Sequence, residues 1–323
     1  MRVAVVATGG TIASRRDDRG DVVPVDGARE LFASVPVDPR LDVEYVDLAP
    51  VPSFAVGLDE MVAVVLRVRG LLAGGHESVL VTHGTDSLEE MAFLVSMLMP
   101  TDAHVVLTGS QRPADDPHSD AAGNLADSLT ALQAGLGPCV VMGGYAVAAF
   151  EARKVHTSAT AAFSGGAAGA IALIDGPDVV PLSRPCRGGN FADVTPPTLP
   201  RVDLVKLGAG TDGAHVDASV AAGAAGVVLE AFGRGNAGPG LVDAVERATT
   251  AGVRVLVSSR VGHGLVRPVY GQGGGADLAR AGADFAGDLT APRARVALGL
   301  ALAHPELGPV DKQLEMVWRG QSA

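Results

Sequence analysis

Three short segments carry the groups with which this chain could do chemistry. They are Thr8-Gly9-Gly10-Thr11-Ile12-Ala13, Thr82-His83-Gly84-Thr85-Asp86-Ser87 and Thr108-Gly109-Ser110-Gln111-Arg112-Pro113. Each follows an apolar run that reads as a β-strand, so each sets hydroxyls at a strand's carboxyl end. Ligands of open α/β sheets bind there. The second segment adds a carboxylate and the third a guanidinium. The layout suits a small-molecule site that needs a nucleophile and several hydrogen-bonding groups. Each segment also has a plain structural reading. Gly9 and Gly10 permit a tight turn. Ser87 and Glu90 fit a capping box ahead of Leu88, Met91 and Val95, which would leave Thr85 or Asp86 as part of a helix N-cap.

Other motifs point elsewhere and weaken on inspection. Gly233, Gly235 and Gly238 fit the dinucleotide pattern GxGxxG between a strand and a helix. That pattern wants an acidic residue about 20 positions on, at the end of the next strand. The next strand, Val253–Val257, runs into Ser258-Ser259-Arg260 instead. Gly271–Gly275 reads as a turn between loops, and no GxxxxGK[ST] phosphate loop is present.

The elements that must hold these segments alternate in type. Strand-like runs are Val3–Thr8, Val79–Thr82, Val105–Thr108, Cys139–Met142, Ala170–Ile174, Asp203–Lys206, Gly226–Glu230 and Val253–Val257. Amphipathic stretches between them include Glu60–Leu72, Ser87–Met99, Asn124–Ala134 and Gly240–Ala251. Strand–helix alternation predicts parallel sheets of α/β type. Residues 176–201 break the rhythm with six prolines, and such density cannot continue a helix or a central strand. The organisation predicted is an N-terminal domain over 1–184, a linker over 185–202 and a C-terminal α/β domain over 203–323.

Composition narrows the function classes. Hydrophobic residues at 47% and charged residues at 19% supply a globular core, and aromatics at 4% leave that core to Val, Leu and Ala. A formal net charge of −11 repels phosphate backbones and anionic lipid, so nucleic acid and membrane are not expected partners. Cys139 lies in an apolar run and reads as a core residue; Cys186 lies in a Pro/Arg/Gly loop. There is no CxxC or Cys/His cluster for a structural zinc. No signal-peptide pattern opens the chain and no apolar stretch reaches the ~18 residues of a membrane span, so the expectation is a soluble cytoplasmic protein.

The first two segments, the second extended through Leu88-Glu89-Glu90, resemble the signature segments of the bacterial-type L-asparaginase/glutaminase family. The first matches throughout; the second has Ser87 and Met91 where threonine is common. The third segment, Asp120, Asn124, Lys154, Gly233-Arg234-Gly235-Asn236 and Ser258-Ser259-Arg260-Val261 follow in the family's order. The resemblance implies a larger N-terminal domain with a parallel, flavodoxin/Rossmann-like sheet, a smaller C-terminal α/β domain, and a homotetramer of two intimate dimers. It implies no metal and no cofactor. It makes Thr11 the nucleophile on a lid, with Thr85, Asp86 and Lys154 as the other catalytic groups. Gly10, Ser53, Gly84, Thr85, Asp86 and Ser110 then bind substrate, and Asn236 reaches a neighbouring subunit's site.

The chemistry agrees with those roles. A threonine hydroxyl needs a nearby base, and a neutral lysine held against a hydroxyl and a carboxylate can be one. Asp86 would bind an α-ammonium group by a charge-assisted hydrogen bond. Backbone N–H groups near Gly10–Thr11 and Gly84–Thr85 would hold an oxyanion. The implied reaction is hydrolysis of L-asparagine to L-aspartate and ammonia. Rival readings are an amidase for another carboxamide, such as L-glutamine, and a non-catalytic amino-acid-binding homologue.

Three departures from the family pattern bear on these rivals. Residues 14–35 contain no lid tyrosine, and the nearest, Tyr45, falls in the next predicted strand. Phe54 follows Ser53 where a glutamine is usual, and a phenylalanine donates no hydrogen bond. Residues 262–276 contain no glutamate to offer a neighbouring site.

Overall fold

The computed structural model describes residues 1–185, 191–194 and 198–319. The chain divides into two units, Met1–Ala192 and Asp193–Ala323. Of the predicted linker, residues 186–190, Cys186 among them, and residues 195–197 lie outside the described residues.

The first unit begins with β1 (Arg2–Ala7), in which Val3 to Val6 are wholly buried. A strand apolar on both faces belongs inside a sheet covered by helices. There follow a hairpin of β2 (Ser14–Arg16) and β3 (Val22–Pro24), the short α1 (Ala28–Leu31), β4 (Asp42–Asp47), α2 (Leu58–Ala73), β5 (Ser78–Thr82), α3 (Leu88–Leu98), β6 (Val105–Thr108) and α4 (Ala121–Gln133). Next come β7 (Cys139–Met142), β8 (Tyr145–Ala148), a small hairpin of β9 (Arg153–Lys154) and β10 (Phe163–Ser164), β11 (Ala172–Asp175) and β12 (Asp178–Pro181). The main sheet has the order β12-β11-β8-β7-β6-β5-β1-β4.

Strands β4, β1, β5, β6 and β7 are parallel, as the alternation predicts. β8, β11 and β12 pair antiparallel, so that β8 and β12 run against the other strands and β11 runs with them. The predicted strand Ala170–Ile174 is present as β11 but runs antiparallel to both neighbours. The cause lies in the turn before β8. Gly143 and Gly144 have φ of 60° and 80°, the positive values that a two-residue hairpin turn demands. So short a connection can only reverse the chain; a parallel neighbour needs a crossover. Pro181, without an N–H to donate, lies in β12 at the sheet's edge, where it is tolerated.

Helices cover the sheet with the faces their spacing makes apolar. α2 buries Met61, Val62, Val64, Val65, Val68 and Leu71. α3 is buried almost all round, from Leu88 to Leu98. Cys139 is sealed in the core, where burial pushes its thiol up to about 12, so it stays protonated and unreactive.

The second unit repeats the strand–helix theme in β13 (Val202–Lys206), α5 (Ala214–Ala221), β14 (Gly226–Ala231), α6 (Pro239–Thr250), β15 (Arg254–Ser259), α7 (Gly275–Arg280), β16 (Asp284–Phe285), α8 (Ala291–Ala303) and α9 (Val310–Arg319). Among the described residues its strands are parallel, in the order β13-β14-β15-β16. Among the described residues no helix is long and apolar enough to cross a membrane.

Candidate active site

Two glycines bring the first two segments together at the carboxyl ends of β1 and β5. Gly10 has φ of 80°, and a Cβ there would lie 2.3 Å from both Cα and N of Gly84. A Cβ on Gly84 would in turn lie 2.4 Å from Ser53 Oγ and 3.0 Å from Gly10 Cα. Only bare backbone allows this approach. Thr11 and Thr85, each the next residue along, therefore stand on abutting loops. The third segment joins them, since a Cβ on Gly109 would lie 2.5 Å from the His83 carbonyl oxygen.

Lys154 enters from the β9–β10 hairpin. Its Nζ donates to Thr85 Oγ1 at 2.8 Å and to Asp86 Oδ1 at 2.7 Å. The lysine side chain is 17% exposed and that of Asp86 57%. The ammonium is thus shielded while the carboxylate still faces solvent. Asp86, Lys154, Val155, His156 and Thr157 line a cavity of about 360 Å³ at this point.

The remaining predicted residues are placed as follows. Ser53 is buried, and its Oγ accepts the Asp86 backbone N–H at 3.3 Å. Ser87 Oγ donates to the Ser53 carbonyl at 2.7 Å. Ser87 does precede α3, but its side chain makes no capping bond, so the capping-box reading does not hold. The hydroxyl is engaged across the site instead. Ser110 is wholly buried and its Oγ donates to the Arg112 carbonyl at 2.7 Å, closing its own loop. That loop is fastened by Asp120, which accepts from the N–H groups of Gln111 and Arg112, and by Asn124, which donates to the Gly109 carbonyl. Asn236 lies in the second unit, where its Oδ1 accepts from Gly275 N–H at 3.2 Å.

Thr11 is half-buried at the start of a one-turn 3₁₀ helix, Thr11–Ala13, that leads into the β2–β3 hairpin. Ser14 Oγ donates to the Gly10 carbonyl, which pins the base of the hairpin. Two bonds tie its first strand to the loop after the third segment. Ala114 N–H donates to the Ser14 carbonyl, and Arg16 N–H donates to Asp115 Oδ2. Tyr45 does not stand in for a lid tyrosine: it lies on β4, its ring 5.8 Å from Phe32 and under Arg29. His83, between the strand end and Gly84, is buried; burial holds its imidazole below the ordinary 6.5 and so favours the neutral ring.

Sequence reasoning passed over the wall of the cavity. Val155, His156 and Thr157 line it because they follow Lys154, and their adjacency to that lysine was the available signal.

A hydroxyl, an ammonium and a carboxylate gathered beyond parallel strand ends, beside a second threonine loop, define a class of protein: an α/β amidohydrolase. Comparison with known proteins agrees. Residues 2–186 match the family description "Asparaginase, N-terminal", and residues 201–311 match "Glutaminase/Asparaginase C-terminal domain". The chain belongs to the asparaginase/glutaminase family. It is 38% identical over 308 residues to a probable L-asparaginase of Deinococcus radiodurans, with 92% of this chain and 91% of that one covered. It is 31% identical over 320 residues to an L-asparaginase of Bacillus licheniformis, covering 96% of this chain and 98% of that one. Among solved structures it resembles the thermostable L-asparaginase from Thermococcus kodakarensis, with a TM-score of 0.86, 27% identity and coverage of 100% and 99%.

Proposed function

We propose that this chain hydrolyses L-asparagine to L-aspartate and ammonia through an acyl-enzyme on Thr11. The observation that carries the proposal is the contact of Lys154 Nζ with Thr85 Oγ1 and Asp86 Oδ1 at the edge of a cavity, on a loop abutting the one that bears Thr11. Thr11 Oγ1 attacks the carboxamide carbon, and backbone N–H groups of the two glycine loops hold the oxyanion. The Thr11 proton passes to the leaving amide nitrogen, the C–N bond breaks and ammonia departs. A water oriented by the Thr85–Lys154 pair then attacks the ester carbon, its proton passes through Thr85 Oγ1 to the departing Thr11 Oγ1, and the ester C–O bond breaks to release L-aspartate. Asp86 binds the substrate's α-ammonium while balancing the lysine charge. Ser53, Ser110, Gly10 and Gly84 shape the pocket. A homotetramer with Asn236 turned to a neighbouring subunit, and a cytoplasmic location, belong to the same proposal. They are supported by the family resemblance and, for location, by the likeness to the solved structure of a probable cytoplasmic L-asparaginase from Campylobacter jejuni.

One observation favours a second reading. Phe54, beside Ser53, is 79% exposed, and it stands where the family usually has a hydrogen-bonding glutamine. The absence of that donor supports, as the alternative, an amidase for another carboxamide such as L-glutamine. The test is ammonia release from L-asparagine, L-glutamine and related amides by wild type and Thr11→Ala. Asparagine is expected to give the highest kcat/KM, and the variant to lose at least about 10⁴-fold, as when an acyl-transfer nucleophile is removed. Turnover that survives the substitution sinks the Thr11 assignment; a wild type inert toward every amide sinks the reaction.

A further inference from the structure

Beyond Lys154 the chain makes a loop whose order centres on one imidazole. Phe163 pairs with Lys154 across β9 and β10, and Val155 N–H donates to the Ala162 carbonyl at 2.8 Å. Residues 156–161 therefore form the loop of a hairpin. Inside it His156 Nδ1 accepts from the backbone N–H of Ser158 at 3.1 Å and of Ala159 at 2.9 Å. A ring nitrogen that accepts carries no proton, so this arrangement belongs to the neutral ring with its hydrogen on Nε2.

The other end of the loop is anchored to the main sheet's turn. A Cβ on Gly143 would lie 2.8 Å from Ala161 Cα, so Ala161 rests on bare backbone. Gly143 N–H donates to Asn124 Oδ1 at 3.0 Å, which ties this anchor to α4. The hairpin thus has one anchor on the sheet and one inside its own loop. Lys154 is the last residue of β9, two residues before the inner anchor.

We infer that His156 is a positioning residue for the reaction proposed above, on which this inference rests. Its Nδ1 clamps the 158–159 backbone and so holds the loop that aims Lys154 Nζ at Thr85 and Asp86. The chemistry of the clamp fits the place. An imidazole offers an acceptor without a charge, whereas a carboxylate there would add a second negative group to the cavity beside Asp86. Asparagine is the conservative replacement, since its Oδ1 can accept the N–H groups of a following turn in the same way.

Three variants test the clamp: His156→Ala, His156→Phe, which keeps ring volume without the acceptor, and His156→Asn. Steady-state kinetics with L-asparagine and a thermal unfolding midpoint are measured for each. The alanine and phenylalanine variants are expected to lose about 10- to 100-fold in kcat, the scale of an ångström's misplacement, with KM and the unfolding midpoint near those of wild type. The asparagine variant should recover most of kcat. Should the alanine variant not fold, the phenylalanine and asparagine pair carries the comparison. Wild-type kcat in both acceptor-less variants would overturn the inference. So would an asparagine variant that recovers nothing and raises KM, because the ring would then touch substrate instead of clamping the loop. Absence of ammonia release by the wild type is a separate result, and it removes the parent reaction itself.

Discussion

At the ends of β13, β14 and β15 stand Lys206, Glu230, Ser258, Ser259 and Arg260; at and just beyond the ends of β1, β5 and β6 stand Thr8, Thr11, Thr82, Thr85, Asp86 and Thr108. Both sets lie at the carboxyl edge of a parallel sheet, and they are used differently. In the second unit Lys206 pairs with Glu230 at 3.2 Å. Ser258 and Ser259 each donate to a backbone carbonyl, of Leu289 and Gly233. Arg260 donates to the Leu207 carbonyl and lies 4.7 Å from the centre of the Phe232 ring. Neighbouring backbone and side chains satisfy each group. In the first unit two of the innermost hydroxyls behave the same way: Thr8 donates to the Thr82 carbonyl and Thr108 to that of Val141, whereas the buried Thr82 hydroxyl has no hydrogen-bond partner among the described residues. One loop further out the pattern changes, because the β9–β10 hairpin sets a lysine against Thr85 and Asp86 beside a cavity. Polarity at strand ends follows from this architecture; a candidate site follows from a charge delivered there by a separate element.

That contrast sets what substitution should do at each edge. Lys154→Met takes the delivered charge away, and kcat should fall about 10³-fold, within the range of general acid–base contributions, with far-UV circular dichroism unchanged. A smaller loss would shrink the distance between the two edges. Gly84→Ala attacks the contact between loops. Its Cβ would stand 2.4 Å from Ser53 Oγ, and a urea titration should show a loss of about 1–3 kcal/mol as the overpacked loops part, along with reduced turnover. A variant as stable and active as wild type would mean the loops need not touch.

Acid should act on the first edge through His83. Its folded ring is held below the ordinary 6.5 by burial, so the unfolded chain binds the proton more readily. The stability it contributes is complete above 6.5 and is lost as pH falls from there toward the lower folded value. The slope in that window is at most about 1.4 kcal/mol per pH unit, and His83→Asn should flatten it in urea midpoints taken on either side of 6.5. Lys206→Met should have the least effect. The pair with Glu230 is half open to solvent, so the expected cost is under about 1 kcal/mol by chemical denaturation, with ammonia release unchanged. A large drop in turnover from this variant would give the second edge a part in the chemistry.

Much of this is legible along the chain. Runs such as Val3–Thr8 and Cys139–Met142 announce strands because burial on both faces demands unbroken apolar sequence, and β1 and β7 lie where those runs do. The glycine-bearing segments are local too: a loop that must pass within touching distance of another can carry no side chain there. Other features are not written locally. Ser87 has the spacing of a cap, yet a carbonyl from Ser53, 34 residues away, takes its hydroxyl. Ser110 reads as part of a binding loop, and its hydroxyl donates to the Arg112 carbonyl within that loop. That β11 pairs antiparallel depends on a turn about 30 residues earlier, which reverses its neighbour β8.

Residue order therefore settles the α/β alternation, the strand ends and the places where backbone must meet backbone, since each depends on near neighbours and on side-chain size. What Lys154 touches is settled elsewhere. Its partner Thr85 lies 69 residues away, and a lone lysine in sequence looks the same whether it meets water or a hydroxyl. Folding resolves the difference: the hairpin, seated on Gly143 and clamped by His156, holds the ammonium within 3 Å of both partners, and no local pattern encodes that distance.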